Sequence, residues 1–114
     1  MIELNFSTAF HVARVVHTHM CTQAGGGRII MVGARPALQA KQATGSVAYA
    51  LSKTLVMKLA EIMNAEGAAK NVVTSVVVPS TIDTPANRES MPQADFNKWV
   101  SPRHLAETML YLCS

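Results

Sequence analysis

Aromatic side chains are scarce in this chain: one Trp, two Tyr and three Phe among 114 residues. A platform for stacking successive bases is therefore not expected. There is no block of like charge either. Ten basic and seven acidic residues lie scattered, for a net charge of +3. That pattern excludes a basic arm for nucleic acid. Cysteine is limited to Cys21 and Cys113, at no metal-like spacing. A reducing, cytoplasmic setting fits such a pair better than a disulfide framework. His17 and His19 stand two apart, which on a helix turns them to different sides, so no metal site is expected. His11 and His104 read as surface residues. No apolar run approaches the roughly 20 residues of a membrane-spanning helix. Glu3 stands early and no charged segment precedes an apolar run, so no signal peptide is expected.

What is present reads as one globular domain over residues 1–114, 49% hydrophobic and 15% charged. Ile2, Phe6, Ala9, Phe10, Ala13, Val16 and Met20 recur at helical spacing, predicting a helix over residues 2–22. "AGGGR" breaks it. "RIIMV" is short and apolar on both faces, as a buried parallel strand is. "GARPALQAKQATG" reads as a loop. A second helix is expected over residues 46–65, with Leu51, Leu55, Leu59 and Ile62 on one face, ended by Gly67. "NVVTSVVV" is rich in β-branched residues and reads as a second strand, stopped by Pro79. Residues 80–101 show no clear periodicity. Ser101 and Pro102 fit the cap and first turn of a last helix. The order helix, strand, helix, strand, helix predicts an α/β fold with parallel strands. Two such strands make a thin sheet, which reads as part of a larger doubly wound, Rossmann-like one.

The stretch "VAYALSK" places Tyr49 and Lys53 four residues apart, one above the other on a helix. A free phenol has a pKa of about 10 and exchanges protons poorly at neutral pH. A nearby ammonium favours the phenolate and makes the pair a tunable acid/base. The same spacing also arises by chance as a surface pair, and spacing alone does not decide between the two.

The context of that pair resembles the short-chain dehydrogenase/reductase family: "MVGA" ending a strand, a loop, "YALSK" opening a long helix, then a strand ending in proline. The resemblance implies that Tyr49 and Lys53 are the acid/base pair, with Lys53 also holding the nicotinamide ribose. It implies that Asn5 in "ELNFSTAF" is the family's catalytic asparagine. "PSTIDT" is similar to the family's nicotinamide-contacting Pro-Gly-x-x-x-Thr segment, with Ser80 in place of the glycine. Pro79, Thr81, Ile82 and Thr84 are then expected to meet NAD(P)H. The family usually ends the preceding strand with a substrate-binding serine, and here Ala34 stands at or near that position. The dihydropteridine-reductase branch lacks this serine. "GARPAL" and "VPSTIDTPANRESMPQADFNKW" resemble its corresponding segments. Hydride transfer to a flat quinonoid heterocycle is thereby implied. Arg88 and Trp99 lie in what is the family's substrate lid, where they can touch substrate or simply pack.

A complete member of this family runs to roughly 250 residues in one domain. The phosphate-binding glycine motif that follows its first strand has no counterpart here, because "AGGGR" ends a helix and precedes a strand. The sequence thus reads as a truncated, catalytic C-terminal half whose binding of cofactor by itself is doubtful and whose isolated activity is little or none. "RIIMV" would carry an unpaired apolar edge. A homo-oligomer through helices 2–22 and 46–65 is expected, with a small-molecule substrate, no nucleic acid and no membrane as partners. Two other readings stay open: a general alcohol or ketone dehydrogenase, which Asn5 favours, and a non-catalytic oligomerising fragment.

Overall fold

The computed structural model describes residues 3–114. Ile2, placed in the first helix by its spacing, lies outside them. One turn of π-helix (Glu3–Ser7) leads into α1 (Thr8–Met20), β1 (Gly27–Val32), α2 (Arg35–Leu38), α3 (Val47–Gly67) and β2 (Val72–Val77). Then follow α4 (Pro85–Ser90) and α5 (Pro102–Cys113). The strands are parallel, paired from Gly27 with Val72 to Val32 with Val77. The mixed α/β, parallel-strand architecture expected from the sequence is the one observed.

The strand starts are stitched together by polar groups. Gly26 takes φ +71°, and a side chain there would strike the Asn71 carbonyl. The Arg28 guanidinium donates to the carbonyl oxygens of Gly27 and Asn71, each at 2.9 Å. Asn71 sits in the left-handed region that asparagine tolerates, at φ 58°, and its amide donates to Gly25 O at 3.1 Å. These bonds fix the strand register from one end.

Ala13, Met31, Val56, Ala60 and Met63 form the core, with Phe6, Ile29 and Val76 packed against them. Because side chains alternate along a strand, Ile29 and Met31 face α1 and α3. The other face of β1 is left to α5, which contacts it. His17 is buried between α1 and α3, its Nε2 2.9 Å from Met63 O. Gly67 lets α3 approach this point: a Cβ there would lie 2.6 Å from Val72 O and 3.0 Å from His17 Nε2.

One expectation needs correction, the loop over residues 33–45, and two others gain detail. Leu51, Leu55 and Ile62 lie on a face of α3 that is largely open, being 53%, 41% and 49% exposed. The buried row is Ser52, Val56, Ala60 and Met63, because small residues let the helix lie close on the sheet. "GARPALQAKQATG" is not an open loop but holds α2 and a 3₁₀ turn at Ala40–Ala43. Residues 80–101 hold α4 and a further 3₁₀ turn at Phe96–Lys98. Elements of four to six residues span under two turns, too short to show a period. Their caps do show: Thr84 Oγ1 accepts from Asn87 N at 3.1 Å, with Pro85 beginning α4. Ser101 caps α5 as expected, accepting from His104 N.

A local cluster holds the 80–101 segment. Arg88 makes a two-pronged ion pair with Asp83, at 2.7 and 2.9 Å, and lies 4.4 Å over the Phe96 ring. Phe96 in turn packs on Trp99, with 4.8 Å between ring centres. The hydrogen bond from Arg88 holds the Asp83 carboxyl below its ordinary 3.8. A depressed folded value means the pairing favours the folded state above the unfolded pKa and is lost as pH falls through the folded one. Trp99 emission is therefore expected to stay constant on acidification past 3.8 and to change only below it. In Asp83→Asn the emission should already be altered at neutral pH. Elsewhere, the Thr74 hydroxyl is buried with no hydrogen-bond partner among the described residues. Thr74→Val, which removes that hydroxyl at nearly constant volume, is expected to raise stability by about 1 kcal/mol in urea unfolding.

Candidate active site at the carboxyl ends of the strands

Parallel pairing brings the ends of β1 and β2 to the same side of the sheet, the place where open α/β sheets bind ligands. Beyond β1 come Ala34, Arg35 and Pro36; beyond β2 come Pro79, Ser80 and Thr81. These six, with Gln42 and Tyr49, line a cavity of about 290 Å³. Ala34 is buried and extended, φ −152°, and places a methyl group where a serine would place a donor.

Tyr49 lies in the first turn of α3, which starts after Ser46. Lys53, one turn later, donates from Nζ to Val32 O, the last carbonyl of β1, at 3.1 Å. That bond uses an acceptor left over at the strand end and draws the ammonium to the sheet. Lys53 and Asn5 open onto a second groove of about 520 Å³, between α1 and β1. In the described sheet β1 has only β2 as partner, so this groove runs along its unpaired edge, as the sequence leads one to expect.

Asn5, far from Tyr49 in sequence, is brought to it by the π-helical turn. Its Nδ2 donates to Ser52 Oγ at 3.1 Å, and Ser52 Oγ donates to Tyr49 O at 2.7 Å. Ser52 is 0% exposed. Asn5 is thus joined through one buried hydroxyl to the turn that carries Tyr49.

The cavity around Tyr49 gathers Ala34, Pro79 and Thr81 from the sequence-predicted set, but not Asn5, Lys53, Ile82, Thr84, Arg88 or Trp99. Ile82 bridges to Val100, and its carbonyl accepts from Asn87 Nδ2 at 2.8 Å. Thr84 caps α4. Arg88 and Trp99 pack around Phe96. Four residues at the site were given no site role from the sequence: Ser52, Arg35, Pro36 and Gln42. Ser52 had a signal, since stepping back from Ala60 and Val56 in fours lands on it and marks a polar residue in a buried row. Arg35 and Gln42 had none, because only the fold of the 33–45 segment brings them to Tyr49. Among the described residues, no group of His, Cys, Asp or Glu could hold a metal ion, and no helix is long and apolar enough to cross a membrane.

Residues 1–95 match the family described as short chain dehydrogenase. The chain is 29% identical to the dihydropteridine reductase of Dictyostelium discoideum over 111 residues, covering 96% of this chain and 46% of that protein. Its fold superposes on a short-chain type dehydrogenase/reductase from Mycobacterium ulcerans with a TM-score of 0.85. That match has 19% identity over 99% of this chain and 44% of the other. A 3-oxoacyl-[acyl-carrier protein] reductase from Brucella melitensis, solved with bound NAD, gives 0.78 at 20% identity, covering 99% of this chain and 43% of that one. The chain therefore spans about half the length of the relatives it matches. With most of its length matched and the fold superposing throughout, this chain belongs to the short-chain dehydrogenase family.

Proposed function

We propose that the chain carries the proton-transferring half of an NAD(P)H-dependent reductase of the dihydropteridine-reductase-like type. The observation that carries this reading is Tyr49 in the wall of a cavity at the strand ends, shared with Ala34, Pro79 and Thr81. The residues present fit the nicotinamide end of such a cofactor. Lys53 is held at the end of β1, and Pro79 and Thr81 follow β2 on the cavity wall. When bound, the cofactor supplies a hydride. Tyr49 then has the task of delivering a proton to a ring heteroatom of the substrate, and Lys53 of favouring the phenolate that remains and of holding ribose hydroxyls. Asn5 acts through Ser52 on the backbone of Tyr49 and keeps the phenol in place. A flat conjugated acceptor develops charge on its heteroatoms, so the absent serine matters less than it would for a ketone.

The experiment is a titration of NADH and NADPH into the purified 114-residue chain, read by nicotinamide fluorescence, followed by turnover of a quinonoid dihydropterin. Saturable binding and turnover by the chain alone are the outcomes that support this reading, and Tyr49→Phe should then lower kcat by about 10²–10⁴-fold with cofactor binding preserved. Turnover of simple ketones but not of quinonoid pterins would replace this reading with that of a general ketone reductase. Absence of cofactor binding at millimolar concentration would refute it for this chain.

The chain is also proposed to self-associate through α1 and α3. Val12, Val15, Leu51, Leu55 and Ile62 are exposed on these two helices, an apolar surface that water disfavours. Sedimentation at micromolar concentration should show a dimer or larger species, and Leu55→Lys should shift it toward monomer. A stable wild-type monomer would contradict the assignment.

A further inference from the structure

The cavity at Tyr49 has one cation in its wall, Arg35, and no carboxylate. Asp83, the acid nearest in sequence to Thr81, is held in its ion pair with Arg88. Arg35 itself takes part in none of the ion pairs among the described residues. Its backbone is nevertheless fixed. Pro36 follows it, its carbonyl accepts from Gln39 N at 3.0 Å, and Ala37 N donates to Ala34 O at 3.0 Å. The chain then turns back, with Gln42 N donating to Gln39 O at 3.0 Å, and Gln42 joins the same wall. Arg35 and Gln42 thus both border a polar cavity next to buried Ala34.

We infer that Arg35, assisted by Gln42, sets the specificity of this cavity for a substrate bearing a carboxylate on or beside its reacting ring or chain. This inference rests on the reading of the Tyr49 cavity as a substrate site. An unpaired guanidinium presents a fork of N–H donors that matches a carboxylate, and Gln42 can donate to the same group. A neutral substrate would leave that fork to water. Arg35 is an exposed residue that lines the cavity, so its charge attracts an anion toward it while Tyr49 stays available for proton transfer.

The test compares pterin-6-carboxylate with pterin by fluorescence titration, and 4-oxopentanoate with 2-pentanone by ligand-observed NMR, on the 114-residue chain. In at least one pair the carboxylate is expected to bind about 10-fold or more tightly than its neutral counterpart, a difference that shrinks with added salt. Arg35→Gln should erase that preference while leaving the neutral ligand's Kd and the circular dichroism spectrum unchanged. Arg35→Lys should keep part of it. A preference confined to the keto acid would support the role of Arg35 and overturn the pterin reading. Equal binding within both pairs, no binding of either carboxylate, or a preference that survives Arg35→Gln would overturn the inference.

Discussion

The parallel ladder between β1 and β2 is the constraint on which the candidate site depends. Parallel pairing forces the carboxyl ends of both strands to one side of the sheet, with α3 as the crossover between them. The segments that leave those ends, 33–36 and 78–81, must then converge where α3 begins. Tyr49 stands in that first turn, so the topology and not any direct interaction puts it between Ala34 and Pro79. An antiparallel pair would have sent the two segments to opposite ends.

A second layer of control is finer and rests on one buried hydroxyl. Ser52 accepts from Asn5 and donates to Tyr49 O, joining the π-helical turn at the start of the described chain to the start of α3. A π-helical turn widens the backbone spiral, and such turns recur at functional positions. Lys53 is tethered on a separate path, to the last carbonyl of β1. Phenol and ammonium are therefore positioned by different parts of the sheet and helix framework, although they are neighbours on one helix.

Much of this was legible in the sequence. Both strands announced themselves as short β-branched or apolar runs bounded by glycine and proline, and α5 by its Ser101–Pro102 start. Tyr49 and Lys53 were marked as a pair by their spacing, and Asn5 and Pro79 by the resemblance to the family. Which face of α3 is buried was not read from the sequence, because the leucines mark one apolar face while the helix lays mostly smaller residues against the sheet. Arg88 and Trp99 could be placed in one segment but not given neighbours, since their cluster with Phe96 depends on turns too short to carry a period.

The sequence by itself determined the element order, the parallel α/β class and the stacking of Tyr49 and Lys53 on one helix, because these follow from local periodicity, turn residues and spacing along one chain. Only the tertiary structure decided that Ser52 links Asn5 to Tyr49, that Arg35 and Gln42 share a cavity with the phenol, and that Arg88 turns to Asp83 and Phe96 instead. Each of those is a contact between side chains whose separation in space is set by sheet register and helix approach, quantities that no local pattern encodes.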